Sequence, residues 1–191
     1  MARMSITEII RDTRPVLRFS DQAVSREAII DLLNDAVWAP TPNRGSSEPW
    51  RFILVSDEAK KKLVEIMVEV GEELKRFNVE NARVKEQFIQ MAINTSTYLI
   101  VVMKENPKQE KWEDDFATIC CMIQNFHLLG WEKGIGMTWL TDDELYESPQ
   151  FREHAGIRTG EKAVSMLNIG YYEEIPRSKA RMPVENRLTI L

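Results

Sequence analysis

Lys179 and Arg181 stand two apart in a segment bracketed by Pro176 and Pro183. In an extended chain that spacing sends both side chains to one side. Pro176 fixes its own φ and Pro183 biases Met182 away from helical geometry, which stiffens the segment. Such a pair suits a phosphate monoester, because arginine binds it bidentately and lysine adds a point charge. An ordinary exposed tail has the same composition, so spacing alone leaves both readings open. The stretch TRPVLRF raises the same question near the other end, where Arg14 and Arg18 follow a short helix among apolar residues. They are either surface arginines or ligand-reaching ones. Between a helix and a strand lies WAPTPNRGSSEPWRF, residues 38–52, with prolines at 40, 42 and 49. Its prolines lower the entropy lost on holding it rigid, and Asn43, Arg44, Ser46 and Ser47 supply hydrogen-bonding groups, as a binding loop requires.

Other candidates point away from acid–base, nucleophilic or metal chemistry. GIGMTWLTDDEL, from Gly134, contains a glycine-x-glycine pair without the third glycine that opens a helix in dinucleotide-binding folds. Its glycines are expected to end a helix and to let backbone approach something flat beside Trp139. Asp142, Asp143 and Glu144 could be paired acids, yet their place at a helix start is where carboxylates complement the dipole. His127 and His154 have no serine or cysteine at a recognisable spacing, and read as a packed and a surface imidazole. Cys120 and Cys121 are adjacent on a helix, where neighbouring side chains diverge. They read as buried small residues rather than a disulfide or zinc pair.

The elements that position these residues follow from periodicity. A short helix is expected over residues 5–11, and Ser25 caps a second with Ile29, Leu32, Leu33, Ala36 and Val37 on one face. Residues 51–55 read as a strand; Leu63, Ile66, Met67, Val70, Leu74 and Phe77 mark a long amphipathic helix, followed by another near 81–94. Strands are expected over 98–103, 136–140 and 164–170, with a polar loop at 104–111 and an extended tail over 176–191. The helix over 112–133 is apolar nearly all round from Phe116 to Trp131, so it must be buried on every side. In a chain of 191 residues a second copy on one flank does this most simply, which predicts a homodimer. The whole reads as one α+β domain spanning 1–191 with a central sheet. A formal charge of −5, from 25 basic and 30 acidic residues, gives no wholesale attraction to nucleic acid or an anionic membrane. The apolar run over 98–103 is far short of a membrane span, and the charged N-terminal stretch has no signal-peptide core. A cytoplasmic protein is expected.

In order along the chain, TRPVLRF, AVWAP followed by EPWRF, the buried helix running into GIGMTW, and SKARMPVEN resemble the motifs of the FMN-dependent nitroreductase family, closest to its small nitroreductase-like branch. That resemblance covers nearly the whole sequence. It implies a homodimeric α+β fold with a mostly antiparallel sheet flanked by helices and an extended C-terminal arm. It implies FMN at the subunit interface, reduced by NADH or NADPH and reoxidised by a nitro compound, a quinone or a similar small electron-poor acceptor in a ping-pong cycle. By family position Thr13, Arg14, Pro15 and Leu17 would lie along the phosphate and ribityl side, with Lys179 and Arg181 closing on the phosphate. Trp38, Asn43, Arg44 and Ser46 would come from the loop of the partner subunit. Trp139, Leu140 and Thr141 would border the ring, with a backbone N–H aimed at the flavin N5. No catalytic side chain is required, since the hydride chemistry belongs to the cofactor. Pro15 replaces a common serine and Leu17 a common basic residue, the loop is two residues longer than usual, and Ser46 stands where asparagine is frequent. Arg14, Arg18 or Arg44 would compensate. A non-catalytic FMN carrier, store or sensor of the same fold is the alternative.

Overall fold

A computed structural model describes residues 4–41, 48–77, 82–177 and 180–191. Helices α1 (Ile6–Asp12) and α2 (Arg26–Ala36) precede strand β1 (Trp50–Val55); α3 (Asp57–Glu73) and α4 (Ala82–Asn94) lead to β2 (Thr97–Lys104). The long α5 (Gln109–Glu132), β3 (Ile135–Leu140), α6 (Asp143–Tyr146), α7 (Pro149–Ala155) and β4 (Glu161–Tyr171) follow. The strands form one antiparallel sheet in the order β1-β2-β4-β3. The expected α+β class and its antiparallel sheet are therefore present, and so is every expected helix and strand.

Local chemistry explains the boundaries. Ser5 and Glu8 form a reciprocal capping box on α1, and Ser25 accepts from the Ala28 N–H to start α2. The sequence reading passed over α7, although Ser148 caps it, Pro149 opens it and Gly156, at φ 64°, ends it. Within the tail, expected to run extended, the described residues include a 3₁₀ turn at Val184–Arg187.

Sheet order dictates where the core sits. β2 is central and covered on both faces, so its residues from Thr97 to Met103 are all buried and run apolar without alternating. One face packs Leu99, Val101, Leu167 and Ile169 against α2 and α5 through Ile29, Leu32, Ile119, Met122, Ile123 and Phe126. The other packs Tyr98, Ile100, Val102 and Met166 against α3, α6 and α7 through Leu63, Met67, Val70, Leu145, Tyr146 and Phe151. Among the described residues no helix is long and apolar enough to cross a membrane.

One ion pair ties the far edge of the sheet to its centre. Arg51 on β1 donates from Nε to Glu161 on β4 at 2.9 Å and also reaches the Gly156 carbonyl at 3.0 Å. Glu161 is 7% exposed. The Arg51 guanidinium, ahead of opposing burial, holds its carboxyl below the ordinary range, aided by the Arg158 N–H. The folded pKa lies below the unfolded one, so this stabilisation is whole above the unfolded value and is lost as pH falls through the folded one. Removing the arginine strands a buried carboxylate. Arg51→Met should lower unfolding free energy at pH 7 by about 3 kcal/mol, with the deficit shrinking as pH falls below the ordinary carboxylate range, by urea denaturation; an unchanged midpoint at pH 7 would refute this.

Candidate functional site

The segment over 13–20 is held to the sheet by two glycines. Gly136 on β3 and Gly170 on β4 are register partners. A Cβ on Gly136 would lie 2.5 Å from Val16 Cγ2 and 2.7 Å from Tyr172 Cδ1, and one on Gly170 would lie 2.7 Å from the Phe19 ring. Thus Val16 and Phe19 occupy the space that side chains would fill. At Gly136 a close approach of the kind expected of the GIG stretch is made by the chain itself, through Val16 and the Tyr172 ring. Gly134, at φ 73°, does end α5.

Backbone bonds complete the docking. Pro15 bridges Met137 in parallel, the Val16 N–H donates to the Met137 carbonyl at 3.1 Å, and the Thr138 hydroxyl donates to the Val16 carbonyl. The Ser20 N–H donates to the Tyr171 carbonyl at 2.8 Å. Because Met137 turns its carbonyl towards residue 16, alternation along β3 turns Trp139 and Thr141 the same way, towards the open edge, while Leu140 faces β4. Past residue 137 that edge is bare: the N–H groups of Trp139 and Thr141 have no backbone partner outside the strand ladder among the described residues. The turn beyond is braced. Tyr146 donates to the Leu140 carbonyl at 2.8 Å, Asp142 accepts from the Leu145 N–H at 3.1 Å, and Arg76 reaches Asp142 at 2.8 Å and Glu144 at 2.7 Å. Burial works against the Asp142 charge, yet Arg76 keeps its pKa below the ordinary value. Asp142 to Glu144 are thus helix-start residues, as read from sequence.

A groove of about 690 Å³ runs between residues 15–21 and 173–177. Pro15 and Leu17 line it, together with Arg18 and Arg177, neither of which is ion-paired among the described residues. Asp21, Glu173 and Glu174 line it too, so the groove carries both signs of charge. Sequence reasoning missed Arg177 and these acids, which carry no motif. Two expected ligand residues bond to nearby carbonyls of the chain: the Thr13 hydroxyl donates to the Ile9 carbonyl at 2.6 Å, finishing α1, and Arg14 donates to the carbonyls of Arg11 and Thr13. Leu140 is half-buried against the α3 and α7 side, and Thr141 is exposed. Trp38, at the end of α2, is 85% exposed. Arg181 is exposed on the arm. Asn43, Arg44, Ser46 and Lys179 lie outside the described residues.

Helix α5 is not buried all round within one chain. Glu113, Ala117, Cys121, Gln124 and Glu132 form an exposed stripe, beside exposed Ile6 and Ile10 of α1. Cys121 is therefore exposed and Cys120 half-buried, a correction to the expectation that both are interior. A second groove of about 370 Å³ on this face is lined by Met4, Ile6, Ile9, Leu128 and Leu129 among others. His154 is half-buried, with Nε2 2.8 Å from the Ala59 carbonyl. His127 is packed as expected, and its Nε2 is buried without a hydrogen-bond partner among the described residues, as is the Trp139 Nε1.

Comparison with known proteins places this geometry. The sequence description of the nitroreductase family matches residues 10–171. A Bacillus subtilis (strain 168) protein with the provisional name NAD(P)H nitroreductase YfhC is 33% identical over 185 residues, 96% of this chain and 93% of its own. Among solved structures, a nitroreductase-like family protein from Bacillus cereus superposes with a TM-score of 0.85 at 35% identity, covering 100% of this chain and 98% of that one. A mutant of the FMN and NADPH-dependent nitroreductase NfnB from sphigopyxis sp. strain HMH shares the fold, with a TM-score of 0.77 at 18% identity over 98% and 99% of the two chains.

His127 links the docked segment to pH. Burial pushes the imidazole below its ordinary pKa, against the opposing pull of backbone groups of Met137 and Arg14. With the folded value depressed, its stabilisation is complete above the unfolded pKa of about 6.5 and is lost as pH falls through the folded value. His127→Gln should therefore lose less unfolding free energy than the unmodified chain between pH 7.5 and 5.5. Equal losses in urea titrations at the two pH values would contradict the assignment.

Proposed function

Because the chain belongs to the nitroreductase family, we propose that it is an FMN-dependent oxidoreductase that takes electrons from NADH or NADPH and passes them to nitro compounds, quinones or similar electron-poor acceptors in a ping-pong cycle. The observation that carries this reading is the edge of β3, whose two outward N–H groups lack a backbone partner outside the ladder among the described residues, together with a groove whose two arginines have no ion-pair partner among those residues. FMN has a phosphate, a hydroxylated chain and a planar ring edged with acceptor atoms, and the residues present suit each part. Arg18 and Arg177 offer charged donors to the phosphate, and with Leu17 uncharged they supply what a basic residue there would have given. Arg181 lies further along the same arm, and Lys179, outside the described residues, joins it in this reading by family position. The backbone donors at Trp139 and Thr141 suit the ring edge, and a volume of about 690 Å³ is within the range of small-molecule sites.

When bound, the flavin supplies the hydride chemistry, accepting from the nicotinamide and giving to the acceptor. The chain's own part is to bind, orient and shield. The acids Asp21, Glu173 and Glu174, from the same two segments as the arginines, disfavour a phosphate close to them by like-charge repulsion. Trp38, projecting into solvent from α2, and the loop after it supply ligand contacts to a partner subunit in this reading, which makes the working unit a homodimer closed over the uncharged middle of the α5 stripe.

Two measurements test it. Purified protein should bind FMN and its flavin band should bleach on anaerobic addition of NADPH or NADH; flavin that binds but stays oxidised with both would leave a carrier or sensor. Arg18→Ala should weaken FMN binding by about ten- to a hundredfold, the loss of a charge-assisted hydrogen bond, with unchanged affinity in fluorescence titration removing this groove from the site. Separately, Ala117→Arg should convert a dimer to a monomer in sedimentation velocity. A dimer that persists would move the interface elsewhere.

A further inference from the structure

We propose that Tyr146 is a positioning residue, which aims the first backbone donor past the end of β3, the Thr141 N–H, out of the sheet edge without touching a ligand itself. The proposal rests on the preceding reading only in naming the flavin ring edge as the acceptor of that donor. Its geometric part stands on the chain alone.

Tyr146 ends the four-residue helix α6 and is wholly buried, its ring 5.4 Å from that of Phe151. A buried phenol needs an acceptor, and it has taken the Leu140 carbonyl at 2.8 Å. Leu140 is the terminal residue of β3 and pairs with Met166. In a trans peptide the carbonyl of one residue and the N–H of the next lie in one plane and point in opposite directions, and among the described residues no peptide is cis. Gripping the Leu140 carbonyl from the β4 side therefore fixes the Thr141 N–H on the opposite, open side. Leu140 is also paired with Met166 in the ladder, so the Tyr146 hydroxyl is a second hold on this peptide at the point where pairing with β4 ends.

The turn is held from outside as well. Arg76, just past the end of α3, binds Asp142 and Glu144, and Asp142 in turn caps α6 through the Leu145 N–H. One residue past Thr141, this clamp prevents the turn from rotating to compensate. Tyr146 below and Arg76 outside act on one peptide plane. Neither side chain lines the groove.

The matched control is Tyr98, equally buried, whose hydroxyl donates to the Ala92 carbonyl at 3.0 Å between β2 and the end of α4. Tyr146→Phe keeps the ring and removes only the hydroxyl; it should bind FMN about three- to tenfold more weakly, as loss of one neutral hydrogen bond's worth of orientation predicts. It should also shift the absorption band of the bound flavin and, in flavin-free protein, move the Thr141 amide resonance and speed its exchange. Tyr98→Phe should leave all four readouts at the values of the unmodified chain. If the two variants match in FMN affinity, flavin spectrum and the Thr141 amide, the proposal is overturned. Should the unmodified chain bind no FMN, the functional reading falls by itself, and the Thr141 amide in the two flavin-free variants still decides whether Tyr146 positions it. If Tyr146→Phe does not fold, Arg76→Gln loosens the same turn from the solvent side and is judged by the same outcomes.

Discussion

Everything near the candidate site depends on two missing side chains. Gly136 and Gly170 face each other across β3 and β4, and the hollow they leave seats Val16 and Phe19. Packing here is close enough that a single methyl group would meet Val16 at 2.5 Å or the Phe19 ring at 2.7 Å. Core packing of that density transmits displacement rather than absorbing it. Seating these two residues sets the rest in sequence: the Val16 N–H meets the Met137 carbonyl, Ser20 meets Tyr171, and the segment between is bowed over the sheet. The groove is the space between that bow and the departing C-terminal arm. The bare half of β3 is what the segment does not reach.

Much of this architecture was written in periodicity. Helices α2, α3 and α5 declare themselves by apolar residues at helical spacing, and β2 by an unbroken apolar run that only a strand covered on both faces can carry. The capping serines at 5 and 25 mark two helix starts to the residue. Helix α7 was equally legible, with a serine cap, a proline at its first position and a glycine past its end, but its short apolar face gives little period over seven residues. The glycine pair was not legible, because its members are far apart in sequence and only the register of β3 on β4 brings them together. Nor was the direction of the Thr13 hydroxyl and the Arg14 guanidinium: both belong to a motif that suggests ligand contact, yet the end of α1 leaves carbonyls needing donors, and these side chains are the nearest. Arg177 and Tyr146 lie in no motif at all. Their roles come from where the arm leaves β4 and where α6 folds beneath β3.

The groove also explains how an acidic protein can attract an anion. With a formal charge of −5, the long-range field disfavours a phosphate, and screening confines that field to about 8 to 10 Å in physiological salt. Inside that distance local groups decide. Arg18 comes from the docked segment and Arg177 from the arm, so they meet only because Val16 and Phe19 hold the one and the end of β4 directs the other. The opposed carboxylates Asp21, Glu173 and Glu174 are not neutralised by those arginines among the described residues. A mixed groove of this kind selects position and orientation more strongly than it raises overall affinity.

The α5 stripe poses the remaining physical question, since a helix whose sequence is apolar nearly all round leaves a flank to solvent. Along that flank the middle positions are Ala117, Cys121 and Gln124, none of them charged, in a chain where 29% of residues are charged. Exposed Ile6 and Ile10 extend the patch across α1, and the shallow groove between the helices is lined by Met4, Leu128 and Leu129. Asp35, Asn125 and Glu132 edge the same groove, and apolar patches rimmed by polar residues are the kind of surface that protein partners use. Trp38 stands at its margin: α2 is tied to α5 where Asn125 donates to the Ala36 carbonyl at 3.3 Å, two residues before the exposed indole. In the dimer we propose, covering the stripe would carry Trp38 and the loop behind it onto the neighbouring chain, so association and completion of the flavin site would be one event. On that account the stripe keeps its uncharged residues because two identical flanks must meet there, a requirement that acts on sequence even though no contact within a single chain records it.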